Sequence, residues 1–276
     1  MFLPSHNQGF AFRSEPLTVA FMKRVFLCFA VFLSLSVFAE EEGSDGLSRF
    51  LIGNSLTWDT VPSKLDGDVQ WHVDCGKSLP WMYENPQKPC VKTSTLWPEA
   101  LENKQYDLVS VQVHYGSTLA EDAAVISELL ALQQKAIFII HTGWAKSEKR
   151  AEEYARTDAE GKMAHSPVYF QELLQLLRKT HPDRELRLTH AQDLLAKVAE
   201  DIESGEAPFE AIEDVYRDAI HMNVVTGRYL MHNVMRFAMG QPRSSKGFEK
   251  IPPNIKAYFD TILDTLPEMS DAAPAQ

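Results

Sequence analysis

The stretch that decides the reading is RFLIGNSLTWD, residues 49–59. An apolar run, Phe50-Leu51-Ile52, stops at Gly53-Asn54 and is followed at once by a small hydroxyl, Ser55. Short runs of this kind suit strands buried on both faces, as in a parallel sheet. A serine directly after such a strand is either a helix cap or a nucleophile.

Four further runs resemble the first. Val69–Val73 ends at Asp74-Cys75-Gly76, Tyr106–Val113 is a third strand, Ala136–Ile140 ends at His141-Thr142-Gly143, and Glu185–Thr189 is a weaker fifth. Between and after them lie segments with apolar residues at helical spacing: Asp122–Gln134, Val168–Lys179, Ala191–Glu203, Val224–Met239 and Ile255–Leu266. Strand–helix alternation predicts an α/β fold with a doubly wound parallel sheet, helices on both faces and a ligand site at the carboxyl ends of the strands. Gly53, Gly76 and Gly143 all fall just past strand ends. The polar segment Ala145–His165 reads as a surface insertion or a lid.

The ends of the chain read differently. Residues 1–39 have the form of a secretory signal peptide with some upstream leader: Lys23-Arg24, an apolar run over Val25–Phe38, then Ala39 before three glutamates. The run is shorter than the ~20 apolar residues that span a bilayer. This predicts a secreted or periplasmic protein, with no membrane attachment after cleavage. Residues 40–268 are expected to form a single domain, and 269–276 a disordered tail.

The formal net charge is −11. The leader carries Arg13, Lys23 and Arg24 against Glu15 alone, so the remainder is more acidic still. No lysine/arginine stripe is present, which argues against nucleic acid as a partner. After the leader, Cys75 and Cys90 remain, an even number suited to an oxidising compartment. A disulfide between them closes a loop of about 15 residues, worth ~3 kcal/mol in the chain-entropy account. It would clamp a segment whose Pro80, Pro86 and Pro89 tell against regular structure.

A hydroxyl nucleophile needs a base within hydrogen-bond reach and a group that orients the base. Tyr216-Arg217-Asp218-Ala219-Ile220-His221 supplies a candidate pair, because a carboxylate three residues before an imidazole can meet it within one segment. The alternatives are ordinary: Ser55 as a helix cap, Asp218 and His221 as a surface capping pair, Gly76 as a plain turn.

G-N-S after the first strand and D-x-x-H about 165 residues later together resemble the SGNH hydrolases, also called GDSL esterases. The resemblance implies a flavodoxin-like sheet of order 2-1-3-4-5. It assigns Ser55 as nucleophile, His221 as base and Asp218 as its orienting carboxylate. It places the amides of Ser55 and Gly76 in an oxyanion hole. The family's third block, G-x-N-D, is missing: Ser110-Val111-Gln112-Val113-His114-Tyr115-Gly116 stands there instead. Gln112 is the nearest substitute for the missing asparagine, with His114 as its competitor.

Other motifs fail. Gly76-Lys77-Ser78 lacks the first glycine of a phosphate loop, since that position is Trp71. No G-x-S-x-G elbow and no H-E-x-x-H occurs, and the histidines show no ligand spacing with cysteine, so neither a metal nor another cofactor is expected. Trp58, His114, His141 and Trp144 lie near strand ends and are candidate substrate contacts. The reading reached is a secreted serine esterase acting on small acyl esters, an acetylated carbohydrate foremost. The alternatives are a non-catalytic glycan-binding protein on the same scaffold, or a lipase or thioesterase.

Overall fold

The computed structural model describes residues 46–267. The signal-peptide and tail readings lie outside this range. Five strands form one parallel sheet: β1 (Ser48–Gly53), β2 (Asp68–Val73), β3 (Leu108–Gln112), β4 (Ile137–His141) and β5 (Leu186–Leu188). Their order is β2-β1-β3-β4-β5, the doubly wound flavodoxin-like arrangement that the resemblance implies. All four pairings are parallel, with Phe50 opposite Gln70 on one side and Val109 on the other.

Nine α-helices accompany the sheet among the described residues: α1 (Ser55–Asp59), α2 (Leu79–Glu84), α3 (Trp97–Asn103), α4 (Leu119–Leu132), α5 (Arg150–Tyr154), α6 (Pro167–Thr180), α7 (Ala191–Ser204), α8 (Gly227–Ala238) and α9 (Pro253–Leu263). Alternate residues of each strand face opposite sides, so the central strands need apolar side chains in succession. Phe50, Ile52, Val109, Val111, Phe138 and Ile140 pack into one core with residues of α2, α3, α4 and α6. Leu51, Leu108 and Ile139 face the other way, against Met235 and Ala238 of α8. α7 and α9 extend that second layer.

Two readings need correction. The proline-bearing segment between Cys75 and Cys90 is irregular around Pro86 and Pro89 but does form regular structure in part: Pro80 sits in the first turn of α2. There the missing amide costs nothing, because it has no partner inside the helix. The segment 145–165 is only partly a surface insertion. Ala145, Met163 and His165 are buried, and Met163 belongs to the sheet core.

Order reverses between β1 and β3, and such a switch point opens a crevice at the carboxyl ends of the strands. Ser55 follows β1 and His114 follows β3, so both stand at its mouth.

Candidate active site

The turn that presents Ser55 is fixed from below. Gly53 ends β1 where a Cβ would lie 2.0 Å from Thr57 Oγ1 and 2.8 Å from Gln112 Oε1, so no larger residue fits. Asn54, fully buried, is the N-cap of α1 and accepts the Leu56 amide at 2.9 Å. Its Nδ2 donates to Lys77 O at 3.1 Å, which ties the turn to the loop after β2. Ser55 is therefore the first residue of the helix and not its cap. Its amide falls among the first amides of a helix, which have no acceptor within it.

His221 Nε2 lies 2.8 Å from Ser55 Oγ, across 166 residues of sequence. Its Nδ1 is 2.9 Å from both carboxylate oxygens of Asp218. Asp218 Oδ1 also accepts the amides of Ile220 and His221, at 3.0 and 2.8 Å. Partial burial raises the Asp218 carboxyl, but those amides and the imidazole outweigh it and hold it down at about 2. An ionised carboxylate only accepts, so Nδ1 carries the proton and Nε2 is left to accept from the Ser55 hydroxyl.

The loop bearing the base is sewn down on several sides. Arg217 N donates to His221 O at 2.8 Å, and Tyr216 bridges Met222. Trp144 Nε1 donates to Ile220 O at 2.6 Å, and Ser147 N to Ala219 O at 2.9 Å. Asp59, fully buried at the end of α1, takes the Met222 amide at 2.8 Å, Arg217 Nη1 at 2.9 Å and Arg228 Nε at 2.8 Å. Sequence reasoning missed Asp59. Its place four residues after Ser55 is visible in the chain, but its two arginine partners lie more than 150 residues away and carry no motif.

Of the candidate oxyanion donors, Gly76 lies on the exposed loop after β2 with φ +68°, a conformation that favours glycine. Cys75 and Cys90 are disulfide-bonded next to it, with Cα atoms 5.7 Å apart. Gln112 does not fit the role expected of it. It is fully buried beneath the turn, where Oε1 accepts from Asn54 N (3.1 Å), Thr57 N (2.9 Å) and Thr57 Oγ1 (2.7 Å). Its Nε2 donates to Asn54 Oδ1 at 2.8 Å. Three donors fix which end of the amide is oxygen, and the group supports the nucleophile's turn without reaching the crevice.

His114, two residues on, is 6% exposed. Its buried Nδ1 has no hydrogen-bond partner. An orphaned N–H is rarer in proteins than an under-satisfied acceptor, which favours the tautomer with the proton on Nε2. Burial first, then the nearby His165, His221 and Lys146, pushes its pKa down to about 3, so the ring is neutral at ordinary pH.

Two expected substrate contacts are corrected. Trp144 is fully buried and serves to hold the base loop through Ile220 O. His141 is also fully buried, with Nδ1 3.0 Å from Thr189 Oγ1. Trp58 is half-buried, its ring edge-on to Trp71 at 5.8 Å.

Among the described residues no group of three or more histidine, cysteine or acidic side chains is placed to hold a metal. No helix among them is long and apolar enough to cross a membrane.

No family model matches the sequence, and no curated protein matches it. Solved structures similar to this chain include a GDSL-like lipase from Parabacteroides merdae, at 12% identity over 71% of this chain and 96% of that one, with a TM-score of 0.44. A member of the lipolytic protein G-D-S-L family from Veillonella parvula is 14% identical over 68% of this chain and 94% of that one, with a TM-score of 0.41. Phospholipase A1 from Streptomyces albidoflavus is 12% identical over 70% of this chain and 99% of that one, with a TM-score of 0.38.

Proposed function

We propose that this chain is an exported serine hydrolase of the SGNH type that cleaves small acyl esters, an acetyl ester of a carbohydrate foremost. The observation that carries the reading is the 2.8 Å approach of Ser55 Oγ to His221 Nε2, with Asp218 behind the same ring.

In this mechanism His221 takes the Ser55 proton as Oγ attacks the ester carbonyl. Negative charge collects on the carbonyl oxygen, where the amides of Ser55 and Gly76 and the Nε2–H of His114 donate to it. The imidazolium, stabilised by Asp218, then protonates the departing alcohol and leaves an acyl-Ser55. Water, deprotonated by His221, attacks that acyl group, and the proton returns to Ser55 as the acid leaves. Preorganised donors of this kind are worth a factor of ~100–1,000 in rate each. Half-exposed Trp58, in the nucleophile helix itself, offers an apolar face, which suits a sugar ring. The bonded Cys75–Cys90 pair suits export.

A fluorophosphonate probe tests the reading. Labelling at Ser55, with p-nitrophenyl acetate hydrolysis abolished in Ser55→Ala, is expected. Hydrolysis unchanged in that variant would refute the nucleophile. Absence of labelling with retained glycan affinity would favour a binding protein.

A further inference from the structure

The loop after β2 carries Gly76, and both of its ends are tied to the turn that presents Ser55. At one end Asp74 N donates to Gly53 O at 2.9 Å. At the other, Lys77 O accepts Asn54 Nδ2 at 3.1 Å. Gly76 N, between these ties, donates to no protein group among the described residues. The loop holds itself poorly there. Lys77 N reaches Asp74 O only at 3.4 Å, and the buried Asp74 Oδ2 has no partner. The face of Gly76 where a Cβ would stand meets no atom within 4 Å, so packing on that side does not fix the crest.

One covalent tie acts on the crest itself. Cys75, directly before Gly76, is bonded to Cys90 across a sequence separation of 15. Cys90 is in turn anchored to the sheet, its amide donating to Val73 O at the end of β2 at 3.0 Å. The Cys75 amide donates to Cys90 Sγ at 2.9 Å. The bridge thus pins the residue before Gly76 to the strand that the loop leaves. Lys77 and Lys88 also stand over the Trp81 ring, at 4.5 and 5.9 Å, but cation–π contacts at a solvent-facing ring are weak. Both cysteines are exposed, so a reductant in solution reaches the bond.

We propose that the Cys75–Cys90 disulfide is the positioning element of the Gly76 amide, so that reducing it slows acyl transfer without unfolding the domain. The effect on rate rests on the hydrolase reading, whereas the effect on the loop does not. A trialkylphosphine supplies the electrons. Phosphorus attacks one sulfur, and the S–S bond breaks with its electron pair leaving on the other. Water then displaces the first sulfur from phosphorus, giving the phosphine oxide and two protonated thiols. Asp74 N and Lys77 O keep their partners in the nucleophile turn, and β2 keeps its ladder to β1. What is released is the crest between them, and with it the direction of the Gly76 N–H.

Two measurements on the whole domain, before and after treatment with tris(2-carboxyethyl)phosphine, test this. The backbone order parameter of Gly76 should fall from the rigid range, about 0.85, to below about 0.6, with the amides of β1 and α1 unchanged. On p-nitrophenyl acetate kcat should fall about ten- to a hundred-fold, up to much of the ~100–1,000-fold worth of a whole oxyanion donor, with KM little changed. Reoxidation should restore both. Cys75→Ala/Cys90→Ala should match the reduced protein and ignore the phosphine. An order parameter or a kcat unmoved by reduction would overturn the inference. So would loss of the dispersed spectrum across the whole sheet, which would make the bond a staple of the fold and not of the loop. Lack of turnover before reduction counts against the hydrolase reading, while the order parameter still decides whether the bond holds Gly76.

Discussion

The carboxylate of Asp59 accepts the main-chain amide of Met222 at 2.8 Å, joining the helix that starts at Ser55 to the loop that ends at His221. The nucleophile and the base come from distant parts of the chain, and this one buried acid lies beneath both. Arg217 and Arg228 neutralise it from the solvent side, at 2.9 and 2.7 Å.

Asp59→Asn should therefore impair catalysis more than binding. Losing the charge loosens both arginines and lets the base loop shift, and a displacement of about 1 Å can cost ~100-fold in rate. A fall in kcat of about ten- to a hundred-fold with little change in KM is expected on p-nitrophenyl acetate. Removing one partner of a buried pair costs ~3–5 kcal/mol when the other stays buried. The arginine side chains here are 33% and 22% exposed, so the loss in urea unfolding should be smaller. Unaltered kcat would show that the clamp does not position the base.

Gln112 separates support from catalysis. In Gln112→Ala the amides of Asn54 and Thr57 and the Thr57 hydroxyl all lose their acceptor in a site without solvent. Each buried orphan costs ~1–3 kcal/mol, so denaturant unfolding should shift by several kcal/mol, and activity should fall with it. A variant with unchanged stability and a selective loss of kcat would return Gln112 to the oxyanion hole.

His114→Ala should lower kcat by about 100- to 1,000-fold with KM little changed, the loss expected for one oxyanion donor. His114→Asn should recover part of it, since a carboxamide also donates. Burial holds the His114 pKa down at about 3. Its ring is therefore neutral above that pH, and it adds no break to the activity profile at higher pH. Asp218, held at about 2, likewise stays ionised. A pH–rate profile above pH 4 should accordingly keep its shape in His114→Asn while its height drops. A break that disappears with His114 would mean that the ring titrates and does not serve as a fixed neutral donor.

The parallel sheet was legible in the sequence because its central strands are buried on both faces and so carry apolar residues without alternation, as in Phe50–Ile52 and Ala136–Ile140. Ser55, Asp218 and His221 were legible because each sits in a short local pattern. Asp59 and Gln112 were not, since their roles depend on partners across the sheet and base loop, which no spacing encodes. Trp144 and His141 were misjudged for a related reason. His141 ends β4 and Trp144 follows three residues later, but whether such a residue points up into the crevice or down into the core depends on tertiary packing. Pro80 misled in the opposite direction, because proline opens a helix as readily as it breaks one.

Asp122 gives the stability of the fold a pH dependence of its own. The residue is fully buried on α4, where one carboxylate oxygen accepts Ser117 Oγ at 2.8 Å and Tyr169 OH at 2.7 Å. The other oxygen has no partner. Burial, only partly offset by those two hydroxyls, raises the carboxyl to about 7 from an ordinary value of 3.8. The folded state thus binds a proton that the unfolded chain has already released. This contribution is complete below about pH 4 and is lost as the pH rises toward 7, with a slope of up to ~1.4 kcal/mol per pH unit. Urea unfolding measured from pH 5 to 8 should show that decline, and Asp122→Asn, which cannot ionise, should flatten it whatever its stability at any one pH. A slope that persists in the variant would assign the dependence to other groups.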